Sequence, residues 1–326
     1  MYKISVVIPA YKAEKTIRRA VESILSQKNV LTEIIIIEDG RHDCTKRVLQ
    51  SYLEQLTFIS FDVNLGAQFA RNKGLNLSTF QNIMFLDADD YFEGDFLYYL
   101  AETAMHSNAD VVFGNCIKRW ESGKEKYFFQ ANKFRDEASI DVIIRWLTGK
   151  AGPAPCSILW KKDTLLKLGG WNEKYHKNQD GELVMRAMFN NVILAHSMEG
   201  AGIYTQYFGE RISQRVDKKA FDSQHMLFDY IKKNAQQNKD KDKILDALNY
   251  YSIGIINSVQ ACQNEDVIKI WEKKWEKKVP KFYLIKYHGY KIYFKHLLYY
   301  IFGLKIIRKI INLLKWTKNF ILMQKD

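Results

Sequence analysis

The chain has 326 residues and a formal net charge of +12, with 47% hydrophobic and 26% charged residues, a composition typical of a globular protein with one sizeable core and a smaller appendage. It contains no run of about 18 apolar residues, which argues against a membrane-spanning helix. The four cysteines form neither a CxxC pair nor a disulfide-like framework, and this pattern indicates a reducing compartment.

Strand and helix patterns alternate along the first 90 residues. Apolar runs predict strands at "KISVVIPAY", "TEIIIIEDG", "LTFISFD" and "NIMFLDADD". Between them, "EKTIRRAVESILSQ", "CTKRVLQSYLEQL" and "GAQFARNKGLNLS" are typical of helices; the first carries Ile17, Val21, Ile24 and Leu25 at helical spacing. This alternation predicts an α/β fold, a Rossmann-type and mostly parallel sheet with helices on both faces.

The pattern loosens between residues 94 and 215. Helices are predicted at "GDFLYYLAETAMHS", "SIDVIIRWLTG" and "QDGELVMRAMFNN", and one strand at "ADVVFGNCIKRW". Beyond about residue 218 the strand patterns give way to helices. We therefore predict a domain boundary near residue 216, which separates an α/β domain, 1–215, from a helical and basic C-terminal region, 216–326.

Three carboxylates, Asp87, Asp89 and Asp90, directly follow the fourth predicted strand. Like charges at this spacing repel each other, so the cluster predicts a positively charged ligand. Ligands of open α/β sheets bind outside the carboxyl ends of the strands, and a D-x-D of oxygen ligands suits a hard divalent cation such as Mg²⁺ or Mn²⁺. The alternative is a solvated turn that caps the following helix.

A series of motifs gives the cluster a context. The segments "VVIPAYKAEKTIRRAVESILSQ", "IIIIEDG", "NLGAQFARNKGL", "FLDADD" and "LGGWNEKY…QDGELVMR" occur in this order. The series resembles the inverting family 2 glycosyltransferases over roughly residues 3 to 213. The resemblance implies a GT-A fold and a nucleotide-diphospho-sugar as the donor.

The same resemblance implies which residues bind the donor. Tyr11 would lie along the base or ribose, Asp39 would accept a hydrogen bond from the uracil ring, and Arg71 would contact the diphosphate. The alternatives are a helix-capping role for Asp39 and an ion pair with the acidic cluster for Arg71. The full donor-binding set is Pro9, Tyr11, Glu14, Asp39, Asn64, Gly66, Arg71, Asp87 and Asp89.

For the chemistry, the resemblance implies one metal and one base. Asp89, with Asp87 as the second metal-site residue placed at the ribose, would hold Mn²⁺ or Mg²⁺ against the two donor phosphates. Asp180 in "NQDGELVMR" would be the base that takes the proton of the acceptor hydroxyl, with Glu182 as the runner-up. The alternative is that Asp180 only caps its helix, with Glu182 in the first turn.

This sequence departs from the family pattern at several positions. Arg41 replaces a serine, Gln179 replaces the acid before the base, and Thr205 and Tyr207 replace an arginine and a histidine near the diphosphate. Arg211 or Arg215 is a candidate replacement for that missing charge. Trp171 is equally well explained as a sugar-stacking residue or as a core aromatic.

The positive charge is concentrated at the end of the chain. Residues 273–326 contain 14 Lys and Arg against two acids, so the other 272 residues are neutral overall. The segment "LKIIRKIINLLKW" predicts a basic amphipathic helix that docks on the inner face of the cytoplasmic membrane. The alternatives are packing on its own domain and nucleic-acid binding, which no nucleic-acid motif supports.

Together these features predict a metal-dependent inverting glycosyltransferase that is peripheral to the cytoplasmic membrane. It would move a hexose or N-acetylhexosamine from a UDP-sugar to a hydroxyl of a glycan or lipid-linked glycan, in surface polysaccharide, capsule or lipooligosaccharide synthesis. Two alternatives stay open. One is a degenerate glycan- or lipid-binding module, and the other is a sugar nucleotidyltransferase, although "PAYKAEKT" lacks the Gly-rich basic loop that such an enzyme needs.

Overall fold

The computed structural model describes residues 1–41, 43–150, 152–207 and 217–261. The chain divides into two compact units, Met1–Arg215 and Val216–Asp326. The predicted membrane-docking helix and the candidate residues Arg211 and Arg215 lie outside the described residues.

The first unit contains every described strand. The strands are β1 (Tyr2–Ala10), β2 (Val30–Asp39), β3 (Thr57–Phe61), β4 (Asn82–Phe85), β5 (Tyr91–Glu93), β6 (Val111–Phe113), β7 (Cys116–Trp120), β8 (Glu125–Phe129), β9 (Ile158–Lys161), β10 (Leu194–His196) and β11 (Ala201–Gln206). The helices of this unit are α1 (Ile17–Leu25), α2 (Thr45–Val48), α3 (Ala67–Leu77), α4 (Phe96–Ser107), α5 (Ser139–Leu147), α6 (Lys162–Leu168) and α7 (Gln179–Phe189). Short 3₁₀ helices cover Gln50–Gln55, Ala131–Phe134 and Pro155–Ser157.

A seven-stranded sheet in the order β10-β6-β9-β4-β1-β2-β3 forms the centre of the first unit. Strands β1 to β4 are mutually parallel, and β9 runs antiparallel to both of its neighbours. The predicted mostly parallel sheet is therefore confirmed. Because parallel strands end at one edge, the segments after β1, β2, β3 and β4 meet on the same rim.

Strand β1 is buried on both faces. Ile4, Val6 and Ile8 on one face and Val7 on the other have no exposed surface, as expected for a strand covered by helices on both sides. Helix α3 packs on the Val7 face, where Gly74 lies so close that a Cβ added to it would overlap the Val7 side chain. This contact fixes the helix that carries Arg71 against the centre of the sheet.

The segment predicted as one strand at residues 109–120 is instead two strands in two sheets. The chain leaves the large sheet after β6 and enters a second, four-stranded sheet in the order β5-β11-β7-β8. Asn115 holds the crossing, because its side-chain amide donates to the carbonyls of Met198 (2.8 Å) and Gly200 (3.0 Å) and accepts from the Ala131 N–H (3.0 Å). Such a crossing depends on distant partners that a local pattern does not contain.

The predicted second helix, 44–56, is also shorter than expected. It is one turn of α-helix, α2, followed by the 3₁₀ helix Gln50–Gln55.

The described part of the second unit is helical, as predicted. It consists of α8 (Lys218–Ala235) and α9 (Lys241–Ala261), which pack on each other through buried apolar residues such as Phe228 and Leu248. Asp217 caps α8 by accepting the N–H of Ala220 at 2.8 Å. Within the described residues, every helix is too short or too polar to cross a membrane.

The packing of α3 on β1 gives a stability test. We expect Gly74→Ala to lower the free energy of unfolding by about 1–2 kcal/mol, because its Cβ overlaps Val7 and this overpacking outweighs the helix propensity of alanine. Thermal unfolding followed by circular dichroism measures the change. Gly254→Ala in α9 is the matched control, since none of the described residues comes within 4 Å of a Cβ added there, and it should be neutral or stabilising. A Gly74→Ala protein as stable as the control would contradict the packing.

Candidate active site

The acidic cluster forms a tight turn between β4 and β5. The backbone N–H of Asp90 donates to the carbonyl of Asp87 at 2.9 Å and closes the turn. Asp87 and Asp89 stay partly exposed, whereas Asp90 is completely buried. The turn therefore presents two of its three acids at the rim.

Asp90 anchors the turn to the second sheet. One of its oxygens accepts the backbone N–H of Thr205 in β11 at 2.9 Å. Burial raises the pKa of Asp90 well above its usual range, and the charges of Asp89 and Asp87 raise it further. Asp90 is thus fixed between the turn and β11, which suits a residue that orients the loop.

Arg71 ties three parts of the rim together. Its Nη2 lies 2.5 Å from Oδ1 of Asp87, its Nη1 donates to Oε1 of Gln179 at 3.3 Å, and its guanidinium stacks 4.4 Å from the ring centre of Trp171. The Arg71 side chain is only 6% exposed, so the ion pair with Asp87 is well shielded from water. The geometry agrees with the alternative that the sequence left open, an ion pair between Arg71 and the acidic cluster.

Asp39 at the end of β2 holds the start of α3. Its carboxylate accepts the backbone N–H groups of Leu65 and Gly66, each at 2.7 Å. Gly66 has φ +104°, a conformation that favours glycine, and precedes the first turn of α3. Each carboxylate oxygen retains a second lone pair, so this capping role is compatible with the predicted contact to a base.

The remaining predicted donor-binding residues line the rim around Asp39. Tyr11 directly follows β1 and is 45% exposed, and Asn64 follows β3 and is exposed as well. Pro9 lies inside β1, opposite Ile37 of β2. The predicted base and ribose contacts are thus on one accessible edge.

Glu14, in contrast to these rim residues, is engaged in contacts within the protein. Its carboxylate accepts the N–H of Cys44 at 3.0 Å, and its own N–H donates to Asp43 at 3.2 Å. Burial acts to raise the pKa of Asp43, but hydrogen bonds from Thr45, Glu14 and Ala13 outweigh it and lower that pKa below its usual value. Glu14 and Asp43 therefore join the loops after β1 and β2.

Arg41, which stands where the family has serine, lies in the loop after β2. It forms an exposed ion pair with Asp62 at 3.6 Å, the kind of surface contact that adds little to stability. The substitution therefore leaves the buried contacts of Asp39 intact.

Asp180 lies in the first turn of α7, directly after Gln179, which contacts Arg71. Burial raises the pKa of Asp180, while the backbone N–H groups of Gly181 and Asp180 and the charge of Arg71 partly lower it. The charge of Asp87 also acts on Asp180 and raises its pKa. The structure therefore brings the predicted base into the same electrostatic environment as the acidic turn.

Glu182, the runner-up base, has a different environment. It is 3% exposed, and its two oxygens accept from Nε and Nη2 of Arg186, each at 2.8 Å. Arg186 also donates to the carbonyls of Leu168 and Gly170. Glu182 thus holds the turn between α6 and α7.

Trp171 is a core residue and not an accessible stacking surface. It is 3% exposed and packs edge-to-face on Phe85, with ring centres 5.1 Å apart. Asn72 of α3 fixes its backbone by donating to the Trp171 carbonyl (2.9 Å) and accepting its N–H (2.8 Å). Of the two sequence interpretations, the core aromatic is the one that the structure bears out.

Two aromatic residues at the site were not singled out by the sequence. Trp146 of α5 is partly exposed and borders Asp180, because a Cβ added to Gly181 would lie 2.6 Å from its Nε1 and one added to Gly152 would overlap its ring. Tyr204 of β11 faces the same acids, since its pKa is raised by burial and by the charges of Asp90, Asp87 and Asp180. In the sequence, the one signal for Trp146 is the pair of glycines in "GPAP" and "QDGE", which leave room for its ring.

Few side chains at the rim could coordinate a divalent ion. In residues 1–41, 43–150, 152–207 and 217–261, no group of three or more His, Cys, Asp or Glu side chains is placed to hold a metal alone. Asp87 bonds Arg71 and Asp90 points to Thr205, so the partly exposed Asp89 is the protein ligand that fits best. Magnesium commonly binds through one or two carboxylates plus substrate phosphates, so this set fits an ion that arrives with its substrate.

Residues 5–153 match the family model described as Glycosyl transferase family 2. These residues form a family 2 glycosyltransferase domain. The match includes the acidic turn and Arg71, and it confirms the resemblance read from the motifs. Asp180 and α7 lie beyond the matched residues.

Two curated glycosyltransferases are similar in sequence to part of this chain. The family 2 domain is similar to "Glycosyltransferase GlyA" of Streptococcus pneumoniae, with 31% identity over 39% of this chain and 18% of that protein. The chain is also similar to the "GalNAc(5)-diNAcBac-PP-undecaprenol beta-1,3-glucosyltransferase" of Campylobacter jejuni, with 28% identity over 55% of this chain and 58% of that protein. The chain thus matches only part of the length of either relative.

A solved structure shows the fold. The crystal structure of S. aureus TarS 1-349 in complex with UDP-GlcNAc superposes with a TM-score of 0.72 and covers 94% of this chain and 89% of that one. At 18% sequence identity the similarity concerns the fold alone. The predicted GT-A-like fold is confirmed.

The environment of Glu182 yields a prediction for the first unit. We expect Glu182→Gln to destabilise the protein by about 2 kcal/mol, because it removes one charge of the shielded pair with Arg186, while donor turnover stays within a few-fold. Chemical denaturation and a donor hydrolysis assay measure the two effects. The exposed Glu199→Gln is the control. A stable Glu182→Gln protein that has lost more than about 100-fold in turnover would identify Glu182 as a catalytic base.

Proposed function

We propose that the protein is an inverting glycosyltransferase that moves a hexose or N-acetylhexosamine from a UDP-sugar to a hydroxyl of a glycan acceptor. The observation that carries the proposal is the convergence of Asp180 and the acidic turn at the rim of a family 2 domain, with Arg71 in contact with both segments. A base and a diphosphate-binding turn on one rim are the two parts that a single displacement needs.

The donor class is supported by the rim and by the fold. Tyr11 and Asn64 present an aromatic ring and an amide beside Asp39, which suits a base and a ribose. The similar TarS structure was determined with UDP-GlcNAc. A uridine diphosphate donor is therefore the simplest proposal for this chain.

The proposed reaction is one in-line displacement. The acceptor oxygen attacks the anomeric carbon as its proton passes to the Asp180 carboxylate. The new bond joins that oxygen to the anomeric carbon, and the bond from this carbon to the phosphate oxygen breaks, so the electron pair leaves with UDP. A raised pKa makes Asp180 a better proton acceptor than an ordinary aspartate.

A divalent ion, Mn²⁺ or Mg²⁺, is part of the proposal. Asp89 would hold it, and the bound ion would offset the charge of the leaving diphosphate. Arg71 keeps Asp87 beside this position by the bond at 2.5 Å.

Surface polysaccharide synthesis on a lipid-linked acceptor is the pathway that we propose. The name of the C. jejuni relative specifies an undecaprenol-linked glycan. The basic segment at residues 273–326 would bring this protein to the membrane surface where such acceptors lie.

The role of Asp180 is tested by Asp180→Asn. We expect turnover to fall by about 100-fold or more, because an amide accepts no proton, while the Kd for the donor changes less than about threefold. Transfer or hydrolysis across a panel of nucleotide sugars, together with calorimetry, measures both quantities. Asp163→Asn, which changes another aspartate in the first turn of a helix, is the matched control.

The pH profile gives a second measurement of the same claim. Activity requires ionised Asp180, so it should fall as the pH drops through the pKa of this group. Because burial raises that pKa, the acid limb should lie above the range of an ordinary aspartate, and Asp180→Asn should lack it. A variant with full turnover, or a wild type that binds donors without any turnover, would instead favour a binding module.

The metal proposal is tested at Asp89. For the wild type we expect UDP to bind more tightly with Mn²⁺ than with EDTA. In Asp89→Asn the ratio of the UDP Kd in EDTA to the UDP Kd in Mn²⁺ should fall about tenfold or more, because the variant loses the charged ligand. Isothermal titration calorimetry measures it. Asp95→Asn at the start of α4 is the control, and an unchanged Mn²⁺ effect in Asp89→Asn would contradict the assignment.

A further inference from the structure

Arg19 of α1 lies against the acidic turn. Its Nη2 donates to the backbone carbonyl of Asp89 at 2.8 Å, to the Thr205 hydroxyl at 3.1 Å and to the Tyr207 hydroxyl at 3.3 Å. Its guanidinium carbon also lies 4.2 Å from the ring centre of Tyr91. Four neighbours from two stretches of the chain, residues 89–91 and 205–207, thus hold one guanidinium in place.

The contacts of Arg19 differ in charge from those of the other arginines at this end of the sheets. Arg71 bonds the carboxylate of Asp87, and Arg119 bonds the carboxylates of Glu93 and Glu125. The acceptors of Arg19 are one carbonyl and two hydroxyls, all neutral. Within the described residues, no carboxylate lies at ion-pair distance from Arg19.

Arg19 and the Asp89 side chain share one neighbourhood. The carbonyl that Arg19 contacts and the carboxylate of Asp89 belong to the same residue, a few bonds apart. Both charges act on the phenol of Tyr207. Burial raises its pKa, the charge of Arg19 lowers it and the charge of Asp89 raises it further. An anion that reaches Asp89 therefore comes close to an exposed guanidinium.

We propose that Arg19 binds the diphosphate of the nucleotide donor directly. A nucleoside diphosphate adds negative charge to a turn that already carries Asp87 and Asp89. Arg71 is engaged by Asp87, whereas Arg19 is held by neutral groups at the backbone of the turn and keeps Nη1 and Nε for phosphate oxygens. This inference rests on the proposed donor site and adds a residue from α1 to it.

The test compares UDP with uridine, which lacks the diphosphate. Calorimetry on the full chain would measure the Kd of each, in Mn²⁺ and in EDTA. We expect Arg19→Gln to weaken UDP binding about tenfold or more in both conditions and to change uridine binding less than twofold. Arg19→Lys, which keeps the charge, should lose less. Arg18→Gln is the matched control, because this neighbouring arginine is exposed and donates to the Val48 carbonyl, away from the turn.

Three results would overturn the proposal. Unchanged UDP affinity would show no contact, an equal loss for uridine would indicate a general effect on the site, and a loss confined to Mn²⁺ would mean that Arg19 only positions Asp89. Thermal melting of each variant identifies a folding defect, and in that case the Arg19→Lys titration decides. A wild type that binds no UDP at all would overturn the donor class itself, which distinguishes the two failures.

Discussion

The geometry of the rim depends on the buried guanidinium of Arg71. A charge removed from water is costly unless it is paired, and Arg71 is paired with Asp87, bonded to Gln179 through Nη1 and packed on the face of Trp171. These partners come from the turn after β4, the start of α7 and the segment before α7. One side chain therefore sets the distance between the turn that would bind the diphosphate and the helix that carries the proposed base.

This constraint gives each carboxylate its own environment. Asp87 is paired, Asp90 is buried with a raised pKa, Asp89 remains partly exposed, and Asp180 combines burial with the nearby charge of Arg71. When the surroundings of neighbouring carboxyl groups differ, their pKa values differ as well. One carboxylate can then bind a ligand while another accepts a proton. Glu182 illustrates the converse, since its shielded pair with Arg186 makes it part of the scaffold.

Local patterns predict much of the fold and of the site. The β-branched runs indicate β1 to β4, and the parallel order of these strands is enough to place Asp39, Asn64 and the acidic turn on one edge. The second sheet escapes such patterns, because β5 has only three residues and β11 pairs with β5 and β7 from far along the chain. The same reason hides Arg19, whose contacts with Thr205 and Tyr207 span more than 180 positions of the chain. Composition and periodicity carry no record of such long-range pairs.

The central claim is that the acidic turn and Asp180 act on opposite sides of one sugar. A crystal structure with a non-hydrolysable UDP-sugar and Mn²⁺ tests this most directly. The account predicts that an ion bridges Asp89 and the diphosphate, and that the Asp180 carboxylate faces the anomeric carbon from the side opposite the leaving oxygen. A nucleotide bound far from Asp89 with no ion between them, or Asp180 on the side of the leaving group, would contradict it.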